Sequence, residues 1–323
     1  MPSPNGCGHR TRAEGARTDA LAVRTAKTPE ELLRGPFTTA RAAAAGISRS
    51  ALRSEPWRRI FRDVWVHNSI EDTRELRLAA VQLILGRYAF VCGHTAAWLH
   101  GIDARDRNAD LVWVGCPTGH RLRTRPGCYT RELTIDVSDL ELLDGVLTTT
   151  PVRTAYDCIR WLSPVEGLVV ADALAHDGLI TTESLAGYRA THAGIRHVGR
   201  VDEALRQLEP LTASPMETRL RMLLVNAGLP RPEAQHVVLD AAGDFVARLD
   251  LAYLSPRVAI EYDGAFHWEQ RREDDRRRDG VRQLDWTVIV ASASDYFKTP
   301  DRLVQTVRSA ISADLDVGGV LSA

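Results

Sequence analysis

RLDLAYLSPRVAIEYDG, residues 248–264, decides how the C-terminal third of the chain is read. Two apolar-rich runs flank Ser255 and Pro256. Both carry acids, although Asp and Glu are depleted in strands and charges are seldom buried unpaired. With Ser255-Pro256 as a tight turn, the runs pair as antiparallel strands and Asp250 faces Glu261, with Cβ atoms about 4.5–5.5 Å apart. Asp263 shares the face of Glu261, roughly 7 Å further along. Val258, Ile260 and Tyr262 form the opposite, core-like face. Three carboxylates thus crowd one patch, and protonation or a bound cation relieves such crowding.

Mg²⁺ or Mn²⁺ suits this patch, since hard cations take carboxylate oxygens and leave room for phosphates and waters. Such an ion polarises a phosphate and helps form hydroxide from bound water. Gly264 permits a sharp turn, and His267 follows within reach of a phosphate or as an acid or base. Glu217 has two readings. In SPME (214–217) it completes a capping box with Ser214, or it points a carboxylate from a first helix toward the metal's water shell. The plain alternative for the whole patch is a polar sheet face whose acids pair with arginines of EQRREDDRRRDG, residues 269–280.

Outward from this stretch, strands are expected near 234–240 and at WTVIVAS (286–292). Helices are expected over 214–229, about 269–284 and about 300–313. Upstream, residues 151–211 read as helical, with Ser163 and Glu166 spaced as a capping box. Arg153 and Asp157, four apart, are expected as a surface ion pair. Residues 71–150 are mixed: FVCGHTAAWLHGI (90–102) is a helix stopped at Gly101, and DLVWVG and GVLTTT are strands. His94 and His100 lie on different faces, and His100 suits the helix C-terminus better than a metal.

FTTARAAAAGISRSALRSEPWRRIFRDVWVHN (37–68) reads as an alanine-rich helix capped by Thr38 or Thr39 and ended at Gly46. A second short helix capped by Ser48 follows, and then a strand. That order is the layout of a small winged helix-turn-helix. Between residues 49 and 62, Arg49, Arg53, Arg58, Arg59 and Arg62 outnumber the single acid Glu55. The unit is therefore expected to recognise DNA or a protein, with DNA favoured by the arginines, against the plain reading of a solvated hairpin.

The chain has 323 residues and a net charge of −1, so affinity for nucleic acid must come from local patches. Only Lys27 and Lys298 are lysines, which nearly excludes a catalytic lysine and favours bidentate phosphate contacts through arginine. The five cysteines are scattered without a C-x-x-C pair, arguing against a disulfide framework or structural zinc and fitting a reducing cytoplasm. No apolar stretch is long enough for a membrane span. Four regions follow: a disordered tail at 1–27, the winged unit at 28–70, a mainly helical middle at 71–211 and a C-terminal α/β unit at 212–323. The fold class is thus multidomain α+β or α/β. Oligomeric state and DNA target are not readable.

SPMETRLRMLLVNAGL, RLDLAYLSPRVAIEYDGAFHW and DDRRRDGVRQLDWTVIV together resemble the family related to very-short-patch-repair endonucleases, of the PD-(D/E)XK restriction-endonuclease-like fold. The resemblance implies a mixed sheet flanked by helices and a Mg²⁺-dependent DNA endonuclease. It makes Asp250 and Glu261 the metal ligands, puts Asp263 in the place of the motif's lysine, and matches Glu217 and His267 to the family's helix acid and histidine. Asp274 and Arg277 match a following D-x-x-R, and Arg271, Arg272, Arg276 and Arg277 would hold the DNA backbone. Val290 departs from the basic residue expected on the closing strand. The N-terminal stretch resembles the winged-helix domain of AbiEi-type antitoxins, and FVCGHTAAWLHGI and TPVRTAYDCIRWL are similar to segments that follow it. Chains joining both units are familiar from actinobacteria, in keeping with the arginine bias. This second resemblance implies the alternative function, a DNA-binding antitoxin-like regulator whose nuclease fold is a scaffold. A scaffold binding only proteins is the third reading.

Overall fold

The computed structural model describes residues 29–104, 111–122, 128–264 and 277–318, and these form a mixed α+β arrangement built on three sheets. The expected tail therefore lies outside the described residues, as do His267, Arg271, Arg272, Asp274 and Arg276.

In the N-terminal unit, Thr38 caps helix α1 (Thr39–Ala44) by accepting from the Arg41 N–H, and Gly46 ends it at φ +82°. The expected second helix is only a 3-10 turn, Ala51–Arg53, to which the Ser48 hydroxyl gives its cap. The expected single strand is a hairpin of β2 (Trp57–Phe61) and β3 (Val64–His67). Alternation runs through both arms and hides the turn, which Asp63 makes at φ +67°, a conformation Asp tolerates better than most residues. With β1 (Phe37–Thr38) the antiparallel order is β1-β3-β2. Leu32, Phe37, Ala42, Leu52 and Trp57 fill its core.

Helix α2 (Arg74–Gln82), capped by Thr73, leads into a sheet of β4 (Phe90–Val91), β5 (Val112–Pro117), β6 (Cys128–Leu133), β7 (Leu140–Leu143) and β8 (Val146–Thr149). Its order is β6-β5-β4-β8-β7. This region is therefore richer in strand than expected. The two-residue β4 and the four-residue β7 are too short to show a period. Helix α3 (Gly93–Leu99) follows β4 and stops at Gly101, as expected. Phe61 and Val64 of the hairpin share one core with Leu78, Val81, Val112 and Val114, so the first sheet packs continuously onto the second.

Helices α4 (Pro151–Trp161), α5 (Pro164–His176), α6 (Thr182–Thr191) and α7 (Gly199–Gln207) pack around a core of their own, which Ala97 of α3 also enters. α4 and α5 approach so closely that a Cβ at Gly167 would lie 2.6 Å from Ile159 Cα. Arg153 and Asp157 form the expected pair, but it is buried, not on the surface: the two residues are 4% and 0% exposed. Arg153 also donates to Asp139 at 2.8 Å and to the Thr134 carbonyl at 3.1 Å. A buried charge needs several partners at once, and spacing within one helix reveals only one of them.

The C-terminal unit starts with α8 (Pro215–Asn226), capped by Ser214. Strands β9 (Glu233–Leu239), β10 (Phe245–Tyr253), β11 (Val258–Asp263) and β12 (Thr287–Ser292) form a sheet of order β12-β11-β10-β9, with only β11 and β12 parallel. Residues 277–283 form helix α9, and α10 (Ala293–Lys298) and α11 (Pro300–Gly318) follow β12. The β10–β11 register is the expected one: Leu251 opposes Ile260 and Tyr253 opposes Val258. The Arg257 N–H donates to the Leu254 carbonyl and closes the turn around Ser255-Pro256. One sheet face buries Leu251, Val258 and Ile260 against Leu220 and Leu224 of α8 and Leu303 and Val307 of α11. The other buries Ala252 and Ala259 near Val281 of α9.

Helix α8 also grips the middle region. Arg221, fully buried, donates to Asp172 of α5 at 2.7 Å, and the Thr218 hydroxyl donates to the same carboxylate at 2.9 Å. Arg219 holds Glu166 through two hydrogen bonds of 2.9 and 2.6 Å. Met222 enters the core formed by α4, α5 and α7. Among the described residues, no helix is long and apolar enough to cross a membrane.

Candidate nucleic-acid interface and acidic cluster

The N-terminal unit gathers its arginines around a groove of about 570 Å³, lined by Arg49, Arg53, Arg59, Arg62, Trp57 and Trp65 among others. Each comes from a different piece of the local fold. Arg49 precedes the 3-10 turn and Arg53 ends it, Arg59 lies on β2 opposite Trp65, and Arg62 stands at the hairpin tip. The groove's wall is rigid, because Trp57 packs edge-on against Phe37 at 5.2 Å and the Trp65 indole N–H donates to Thr39 at 3.0 Å. Arg49 reaches Asp63 at 3.5 Å. Arg53, Arg59 and Arg62 have no ion-pair partner among the described residues. Four guanidinium groups face one carboxylate here, a geometry that attracts phosphate in bidentate fashion.

Arg58 differs. As the neighbour of Arg59 it points from the other side of β2, donates to the Ile70 carbonyl at 2.6 Å and sits 4.0 Å from Asp72. It ties the hairpin to the segment before α2 and is not part of the groove.

In the C-terminal sheet the acids meet as the register required, but in unequal settings. Asp250 accepts the Tyr262 N–H at 2.9 Å. Its carboxyl is pushed up to about 6, first by burial and then by the charges of Glu217 and Glu261, against the Tyr262 N–H and Arg277. Glu217 meets its capping reading in part, because the reciprocal bond of a full capping box goes to the residue before Ser214. Its N–H donates to Ser214 Oγ and its carboxylate accepts from the Ala213 N–H at 3.0 Å, while the same buried carboxylate takes Gln235 at 2.8 Å and acts on Asp250.

Glu261 is 1% exposed, and its Oε2 takes both Arg277 at 3.2 Å and Arg278 at 3.1 Å. Its Oε1 is buried without a hydrogen-bond partner among the described residues. Arg277, expected on DNA, thus serves as a counter-ion to Glu261. Asp263 lies exposed at the end of β11, beside Ser292 of β12.

Asp250, Glu261 and Asp263 do not close into a ready-made three-ligand cage. Among the described residues, the acids and histidine whose donor atoms lie within 4.8 Å of one another are Asp136, Asp139 and His192. There Asp139 is already spent. One oxygen accepts from Tyr188 at 2.7 Å and the other from Arg153 at 2.8 Å and the Asp136 N–H at 3.0 Å. Glu261 is held by the second and third arginines of RRRD, Arg277 and Arg278, as the plain alternative of acids paired with arginines of residues 269–280 allows; the signals missed are the partners that pull Arg153 inward.

Residues 89–207 match the AbiEi antitoxin C-terminal domain family. That span runs from β4 to the end of α7 and stops before the acidic cluster. A Mycobacterium tuberculosis relative, the uncharacterized protein Rv2248 of strain H37Rv and MT2308 of strain CDC 1551, is 27% identical over 235 residues, covering 72% of this chain and 84% of its own. The crystal structure of the RV2827C protein from Mycobacterium tuberculosis aligns with 64% of this chain and 84% of its own, at 15% identity and a TM-score of 0.34.

Proposed function

We propose that the chain is an antitoxin-like, DNA-binding regulator whose N-terminal unit acts as a compact winged helix and docks on duplex DNA. The observation that carries this is the groove of Arg49, Arg53, Arg59 and Arg62, three of them without an ion-pair partner among the described residues. The match of residues 89–207 to an antitoxin domain supports it. The groove's arginines contact phosphates and set the docking position, and base specificity comes from groups the duplex brings into range. Fluorescence anisotropy on a duplex from the gene's own upstream region and on a random duplex tests the reading across a salt series. Binding that survives EDTA and weakens steeply with salt is expected. Absence of any salt-dependent affinity for either duplex would sink it and favour a purely protein-binding scaffold.

One observation favours a second reading for the C-terminal unit: the buried, partnerless Oε1 of Glu261 beside an Asp250 whose proton is unusually hard to remove. These are the oxygens that would hold Mg²⁺ or Mn²⁺ in a restriction-endonuclease-like fold, and the ion would supply an activated water and charge neutralisation at phosphorus. Asp263 would orient that water, Glu217 would hold an outer one, and His267, Arg271, Arg272 and Arg276 would engage the DNA. Incubating plasmid, single-stranded and mismatched DNA with either metal tests it. Cleavage no greater than that of the Asp250→Ala/Glu261→Ala variant rules it out.

A further inference from the structure

Away from both sites, a cavity of about 400 Å³ opens beside β5 and β6. Its floor is apolar, formed in part by Ile84 and Val114, and its rim carries Arg87, Tyr88, His120 and Arg121. The Tyr88 and His120 rings lie 4.2 Å apart, and the Arg87 guanidinium stands 5.6 Å from the centre of the Tyr88 ring. The Cys116 thiol donates to the His120 carbonyl at 2.9 Å, which pins this part of the rim to the sheet.

Surface arginines are ordinary, so the combination is what matters. Among the described residues Arg87 and Arg121 are exposed without an ion-pair partner, and no acidic one lines the cavity. Tyr88 is 50% exposed although it borders an apolar hollow. Ligand cavities range from about 300 to 1,000 Å³ and combine apolar walls with a few placed polar groups. This one has room for one or two rings. An uncharged apolar molecule would leave the cationic rim unused, and a bare inorganic anion would leave the floor wet.

We propose that this cavity binds a small planar organic anion, such as an aromatic carboxylate, sulfonate or phosphate. Its ring lies on the Ile84–Val114 floor against Tyr88, and its acid group meets Arg87 and Arg121. The site is independent of the DNA-binding groove and of the acidic cluster, and stands or falls apart from them.

Isothermal calorimetry on the full chain tests it with three probes: naphthalene-2-sulfonate, the uncharged naphthalene-2-sulfonamide and inorganic sulfate. One equivalent of the sulfonate is expected to bind. Affinity should drop at least tenfold for the sulfonamide and at least tenfold in the surface variant Arg87→Ala/Arg121→Ala. Sulfate should bind at least tenfold more weakly than the sulfonate. Thr130→Phe, which adds a ring at the lining, should block the sulfonate. Absence of sulfonate binding to the native chain overturns the proposal. So does unchanged affinity in the arginine variant, or sulfonamide or sulfate binding as tightly as the sulfonate. The arginine variant keeps the test decisive if Thr130→Phe does not fold.

Discussion

The arginines of the N-terminal unit and those buried on α4 and α8 are the same residue in opposite circumstances. Arg53, Arg59 and Arg62 face solvent around a groove without ion-pair partners among the described residues. Arg153, Arg219 and Arg221 are at most 7% exposed, and each is fastened to at least one carboxylate. An arginine in water spends little energy and remains available to a phosphate. An arginine in a core is affordable only when its donors are used, and it is then a structural pin. Charge counts from sequence cannot separate the two; Arg277, placed on DNA by the resemblance, lies 3.2 Å from Glu261.

The sharpest way to break the comparison is to remove a pin. Arg221→Ala leaves the buried Asp172 only the Thr218 hydroxyl and the Glu209 N–H, with no cation, and stability should fall by about 3–5 kcal/mol, read from urea unfolding. The double change Asp172→Leu/Arg221→Met should lose much less, because no uncompensated charge remains. Next comes the exposed group. Arg53→Ala/Arg59→Ala/Arg62→Ala should leave the unfolding midpoint nearly unchanged. Duplex affinity should drop by about ten- to a hundredfold, and the slope of log K against log salt should shrink by roughly 0.9 per lost phosphate contact.

A smaller effect sits in the acidic cluster. Asp250 has a folded pKa of about 6 against an ordinary 3.8, so the native chain holds more protons than the unfolded one between those values. Stability should therefore fall as pH rises from about 4 to about 6 and stay lowered above that, by on the order of 3 kcal/mol. Asp172, also pushed up to about 6 by burial, adds to the same trend. Asp250→Asn should remove only part of the slope, measured by denaturation at pH 4.5 and 7. The smallest change is expected from Arg58→Ala. It breaks the contact with Ile70 but should leave the salt slope of DNA binding where it was.

The C-terminal strands were legible because their period, their turn residues and their acids all agree on one register, and the pairing of Leu251 with Ile260 follows it. The caps at Thr38, Ser163 and Ser214 were equally readable, since each needs only local groups. Reading broke down where geometry is not local. The hairpin turn at Asp63 lies inside an unbroken alternation, and β7 is too short to signal itself. The juxtaposition of Asp250 and Glu261 was visible from the register, while Asp263, counted with them, lies exposed at the strand's end and Glu217 had two readings. What holds each acid was legible only in part: arginines of residues 269–280 were an alternative for Glu261, but not which two, and Gln235 for Glu217 was not visible. Those partners depend on how α8 and α9 lie over the sheet.

Helix α8 has a consequence for how such a chain can be inherited. Its sequence belongs with the C-terminal sheet, where Leu220 and Leu224 pack, but Arg219 and Arg221 belong to α5. A gene rearrangement that cut between residues 207 and 215 and attached another C-terminal unit would strand Asp172 and Glu166 without their cations. The antitoxin-like middle and the sheet behind it can therefore diverge in sequence, but they are not freely exchangeable cassettes. Any recombinant partner has to bring its own pair of arginines to the same two acids.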